Sequence, residues 1–72
     1  MTLSELEPGN SGRVVGWNEG ISDRLLELGI LPGARVEALR TAPFGDPVAY
    51  RLKNCQLAIC RNDASRIIVD AD

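Results

Sequence analysis

Residues 24–52 read RLLELGILPGARVEALRTAPFGDPVAYRL, and glycine or proline interrupts them so often that only short elements fit between. Gly29 follows Leu28 where a helix ending in the left-handed conformation requires a residue without a Cβ. Pro32-Gly33 supplies the preset φ and the positive φ of a type II turn. Residues 41–47 hold two prolines and a glycine, so they form a loop between two strands. A chain punctuated this way builds neither a helical bundle nor a long sheet. It is confined to short strands joined by tight turns, with one brief helix among them.

The helix is expected at residues 23–28, with Ser22 as N-cap and Asp23 in the first turn, where its charge suits the helix dipole. Ile21 before the cap and Leu26 at the fourth helical position match a hydrophobic staple. At the far end Ile30 should fold back onto Leu25, the contact that accompanies a Schellman ending. Leu25 and Leu28 should then form the side that packs on the sheet.

Strands are expected at residues 11–17, 35–40, 48–52, 56–61 and 67–69. Gly12 and Gly16 in the first mark a bulge or a close backbone approach. In the second, Val36 and Ala38 alternate with Arg35 and Glu37 until Leu39 breaks the pattern, which means either a bulge or an exposed leucine. Val48, Tyr50 and Leu52 alternate cleanly with Ala49 and Arg51. This strand should pair as a hairpin with the next, through a tight turn at Asn54-Cys55. Thr2 or Ser4 could cap a single helical turn that buries Leu3 and Leu6, and Asp63 could cap another at residues 64–66. The acidic end is expected to be mobile. At 72 residues, 44% of them hydrophobic, this is one domain, residues 1–72, with a thin core of Leu, Ile and Val. The fold class is all-β with short helices: a closed or nearly closed barrel, which leaves few exposed edges.

Composition narrows the function. The net charge is −2 and the eight Lys and Arg are dispersed, which argues against a nucleic-acid surface or an electrostatic membrane anchor. No apolar run approaches the roughly 20 residues that span a bilayer, and no leader pattern opens the chain, as expected of a soluble cytoplasmic protein. With no histidine, neither a Ser-His nor a Cys-His pair exists, and no phosphate-binding glycine loop occurs. Catalysis is not expected, and neither is a cofactor. Cys55 and Cys60 on one strand would lie roughly 16 Å apart at about 3.3 Å per residue, too far for a disulfide. Two separated thiols and scattered carboxylates give no intrinsic tight metal site. Asp46 and Asp63 have simpler roles in a turn or a cap than in acid-base chemistry.

Several pieces occur together in order: Arg24-Leu25, Leu28-Gly29-Ile30-Leu31-Pro32-Gly33, Ala42-Pro43-Phe44-Gly45-Asp46-Pro47, residues 57–61 ending in Arg61, and Ile67-Ile68-Val69. This set resembles FeoA, the small cytoplasmic companion of the bacterial ferrous-iron transporter FeoB, and it covers nearly the whole chain. The resemblance implies an SH3-like five-stranded β-barrel decorated with short helices. It also implies an accessory or regulatory role toward FeoB, a membrane protein with a cytoplasmic guanine-nucleotide-binding domain that would recruit this chain to the membrane's inner face. The alternative is a free-standing SH3-like module related to the C-terminal domain of metal-dependent repressors. A start at Met1 with a family-like lead-in favours a free-standing protein.

Recognition therefore carries the functional expectation. Leu26, Leu31, Leu39 and Phe44 are apolar residues without an obvious inward assignment, and Phe44 sits in a loop, where binding residues gather. They are expected to form a surface patch whose rim is stiffened by Gly45, Asp46 and Pro47, contacting the transporter or mediating weak self-association. The plainer account is satellite packing, with Leu26 stapled to Ile21 and Phe44 plugging a barrel mouth.

Overall fold

The structure is a computed structural model that describes every residue except Glu19, Ile21, Ser22 and Asn54. The expected Ser22 cap, the Ile21 staple and the Asn54 turn therefore lie outside the described residues. After a 3-10 turn at Leu3–Glu5 come β1 (Ser11–Trp17), α1 (Asp23–Glu27), β2 (Arg35–Thr41), β3 (Val48–Leu52), β4 (Cys55–Ile59), α2 (Arg61–Ala64) and β5 (Ile67–Ala71). All neighbouring strands pair antiparallel in the order β4-β3-β2-β1-β5. The expected β3–β4 hairpin is present, with Val48 opposite Ile59 and Leu52 opposite Cys55.

The sheet curls like an SH3 barrel without closing: among the described residues no ladder joins β4 to β5. Instead the N-terminal segment lies along β5, where Thr2 bridges Ile68 and the Val69 N–H donates to the Met1 carbonyl at 2.9 Å. The two strand glycines in β1 have separate jobs. Gly12 lets β5 approach closely, since a Cβ there would sit 2.5 Å from the Asp70 carbonyl oxygen. Gly16 follows a register shift in the β1–β5 pairing and has open space around it. Leu39 sits at a second shift, between Ala38 and Arg40, so the bulge alternative holds and the side chain is half-buried.

The core is aliphatic around one aromatic, Tyr50, whose hydroxyl donates to the Leu3 carbonyl at 3.2 Å. Leu3 and Leu6 are both buried, as expected of the opening turn. Thr2 is its N-cap, and the Glu5 carboxylate reaches back to accept the Thr2 N–H at 2.8 Å. That bond, with a second from the Thr2 hydroxyl, holds the Glu5 carboxyl below its ordinary pKa.

α1 ends as the sequence requires. Gly29 has φ +106, the Gly29 N–H bonds the Leu26 carbonyl and the Ile30 N–H bonds the Leu25 carbonyl, both at 3.1 Å. This is the paired bonding of a Schellman ending. It also corrects the expected packing side. The chain turns at Gly29, so Ile30 is buried with Leu25, while Leu28, beyond the last helical residue, is 38% exposed. Leu26, expected outside the core stripe, instead packs partly buried against the core. Gly29→Val should cost more than about 1 kcal/mol, because a β-branched residue resists positive φ. Chemical denaturation measures this, and an unchanged midpoint would mean that the ending does not hold the helix in place.

Two further expectations are corrected. α2 begins at Arg61, with Cys60 as N-cap, so Asp63 lies inside the first turn and accepts from the Cys60 thiol at 3.3 Å. An acceptor from elsewhere in the chain starts this helix early, as described below. The acidic end, expected to be mobile, is bonded into the sheet: β5 runs to Ala71, and Asp72 bonds Ser11 twice and pairs with Arg35.

Candidate functional site

The loop between β2 and β3 is built from long-range bonds. The Asp46 carboxylate accepts the Arg61 N–H at 2.9 Å, which gives α2 an acceptor for its first backbone donor. The Arg61 side chain returns the contact, donating from Nε to the Gly45 carbonyl and from a terminal nitrogen to the Ser4 carbonyl at 3.5 Å. Gly45 has φ +86 and the Asp46-Pro47 peptide is cis. Ala42 closes the loop by donating to the Pro47 carbonyl at 3.0 Å and accepting from the Gly45 N–H at 2.8 Å. Gly45, Asp46 and Arg61 thus form one clamp between the loop, α2 and the opening turn. At the loop's tip Phe44 is 99% exposed, so it plugs nothing.

The four apolar candidates do not lie together. Leu31 is 49% exposed and precedes the Arg35 end of β2, whereas Phe44 follows the Thr41 end. The strand between those ends spans roughly 20 Å at about 3.3 Å per residue. Leu26 is partly buried on the core and Leu39 is half-buried in its bulge. Of these four, two are exposed: Phe44 on its clamped loop and Leu31 on the shoulder after α1.

Sequence reasoning passed over Leu28. It joins the shoulder and lines an open groove of about 840 Å³ that also holds Gly29, Ala34, Leu52 and Cys55. Arg35, Arg51 and Lys53 line it as well. Arg35 pairs with Asp72, and Arg51 lies 3.7 Å from Glu37. Lys53 has no ion pair among the described residues. The available signal was the combination of a five-residue helix and a glycine stop, which turns the last leucine outward. Both cysteines are free and exposed, and among the described residues no three His, Cys, Asp or Glu side chains converge as metal ligands.

A family model described as the FeoA domain matches residues 1–71. The chain belongs to the FeoA family. Among its relatives is a Fe(2+) transport protein A/Fe(2+) transporter FeoB fusion protein of Porphyromonas gingivalis, 35% identical over 72 residues. That match takes in 97% of this chain and 8% of the fusion protein, so the chain corresponds to a small part of that relative. The solution structure of FeoA from Chlorobium tepidum superposes with a TM-score of 0.90 at 36% identity, covering 99% of this chain and 70% of that one. A crystal structure of Stenotrophomonas maltophilia FeoA, an SH3 domain protein complexed with zinc, gives 0.84 at 32% identity over 97% and 89% of the two chains. FeoA is thus an SH3-like family tied to iron transport. The motif pieces that carried the resemblance include the clamp residues, so part of the family pattern has a structural explanation in this chain.

Among the described residues no helix is long and apolar enough to cross a membrane.

Proposed function

We propose that this chain is a cytoplasmic accessory and regulatory protein of a FeoB-type ferrous-iron transporter, acting by protein contact and not by catalysis. The fusion relative carries this reading: one polypeptide there joins a FeoA part to FeoB. Tethering two modules raises their effective concentration, which benefits partners that meet. The surface supports a contact role, since it offers exposed apolar anchors on tightly bonded backbone. Phe44 and the Leu28–Leu31 shoulder are the contact points in this reading, with Gly45, Asp46 and Pro47 holding Phe44 in place. The reading requires no metal site in this chain.

Binding of the transporter's water-soluble part, followed by NMR shift mapping, tests it. Phe44→Ser and Leu31→Gln alter exposed residues, so both variants should keep the parent's unfolding midpoint. At least one should weaken binding about tenfold, as truncating an anchor does. If both bind like the parent, these residues are not the contact. If no transporter-derived protein binds, full-length transporter included, the functional reading falls.

A further inference from the structure

The two edges of the sheet are treated differently. The β5 edge is occupied by the N-terminal segment, through the Thr2–Ile68 bridge and the Val69-to-Met1 bond. Among the described residues the β4 edge is bare, since β4 pairs there with β3 alone. Edge strands are ordinarily blunted by charge, proline or a bulge. β4 reads Cys-Gln-Leu-Ala-Ile, with no charge and no proline, and its register with β3 runs unbroken.

The outward-facing backbone groups can be assigned. Ala42 donates to the Pro47 carbonyl, so residues 42 and 47 form a hydrogen-bonded position of the β2–β3 ladder. Alternation along β3 then turns the backbone groups of Val48, Tyr50 and Leu52 toward β4. Their partners Ile59, Leu57 and Cys55 are satisfied, which leaves the N–H and C=O of Gln56 and Ala58 on the free edge. Neither residue has a backbone partner on that side among the described residues.

The geometry points to strand addition: β4 accepts an extended segment of the transporter, pairing through Gln56 and Ala58, with an acidic residue of that segment placed against Lys53. This rests on the transporter reading above. Charge selects the occupant. A second copy of this chain, paired so that both edge residues are used on both sides, would centre on Leu57. That register brings the Lys53 turn of each copy toward the start of the other's α2 at Arg61, just beyond both ends of the ladder, and like charges brought together there oppose association. Among the described residues Lys53 has no ion pair, and Arg61 directs its side chain to carbonyls. A transporter segment with an uncharged middle and an acidic end meets the Lys53 end favourably, and main-chain pairing supplies the rest.

Amide hydrogen exchange of the labelled chain, with and without the water-soluble part of a FeoB-type transporter from the same genome, tests this. On binding, the Gln56 and Ala58 amides should slow by at least about tenfold, as expected of newly paired edge groups. Ala58→Pro deletes one of these donors at an edge position, where proline is tolerated, and should weaken binding about tenfold. Lys53→Glu alters an exposed side chain without touching the core and should weaken binding about fivefold at low salt. Binding with Gln56 and Ala58 exchange unchanged overturns strand addition and leaves the transporter reading standing. Protection that appears without transporter and grows with the chain's own concentration makes a second copy the occupant, and also overturns it. Absence of binding by the parent chain rejects both.

Discussion

Gly12→Ala should lower the thermal unfolding midpoint by roughly 10 °C, while Gly16→Ala, four residues along the same strand, should leave it unchanged or raise it by about 2–8 °C. A Cβ on Gly12 would lie 2.5 Å from the Asp70 carbonyl oxygen, 3.2 Å from its carbon and 3.3 Å from the Ala71 Cα. All three are backbone atoms, so no rotamer change relieves the overlap. Either β5 moves away from β1 or its last residues detach. Both routes disturb the Asp72 anchorage to Ser11 and Arg35. Overpacking of this kind costs about 1–3 kcal/mol. In a domain of this size each kcal/mol moves the midpoint by about 4–8 °C. At Gly16 the added methyl meets nothing within 4 Å. Its only effects are on local backbone freedom, worth about 0.4–1 kcal/mol in the stabilising direction where the conformation suits alanine. Equal midpoints for the two variants would show that β5 does not hold its close approach to β1 in solution.

That contrast marks the limit of what the residues alone disclose. Local rules worked where the physics is local. Gly29 with Ile30, and Pro32 with Gly33, each set a backbone conformation within a few residues, and the structure has both as read. The Leu31 carbonyl accepts the Ala34 N–H at 2.9 Å across the second turn. Broken alternation at Leu39 likewise signalled a real bulge, because period-two patterning is enforced by burial on one face. The strand glycines were flagged as bulge or close approach, but which did which depended on how β5 lies against β1, a pairing between opposite ends of the chain.

The same distance limit hid most of the candidate site. Asp46 and Arg61 are 15 residues apart, and their bond moves the start of α2 ahead of Asp63, where a local capping rule had placed the start after it. Leu28 and Leu26 were assigned from the periodicity of a longer helix. Once the helix stops at Glu27, Leu28 no longer follows that stripe and Ile30 takes the inward place. The apolar patch failed as a single surface for a similar reason: residues close in sequence space to one strand were separated by that strand's length. Phe44 was legible as an unburied loop residue, and its loop's attachment to α2 was not.

Tyr50→Ala should remove a large share of the chain's stability, more than truncation of any other core side chain. Tyr50 is fully buried and the largest such side chain. Truncating a buried aromatic costs about 3–5 kcal/mol, against roughly 4–11 kcal/mol of total stability for a domain of this length. Tyr50→Phe separates the ring from the hydroxyl. It keeps the packing and removes the donor to the Leu3 carbonyl, at a cost of about 1 kcal/mol. The loss should concentrate where that bond acts, in faster amide exchange at Glu5, Leu6 and Val69, whose N–H groups bond within or to the N-terminal segment. The hydroxyl also has a pH signature. Burial raises the Tyr50 pKa above its ordinary 10.0, with the positive charge of Arg61 opposing. A raised pKa here means that the folded state favours the neutral phenol, so its contribution is complete below about pH 10 and is lost as pH climbs through the raised value. The parent's advantage over Tyr50→Phe should therefore be constant through neutral pH and shrink above about pH 10. Denaturant titrations of both proteins across that range give the comparison. An advantage unchanged at high pH, or exchange at Glu5 and Leu6 unaffected by the loss of the hydroxyl, would show that Tyr50 contributes only its ring and that the opening turn is held by its leucines.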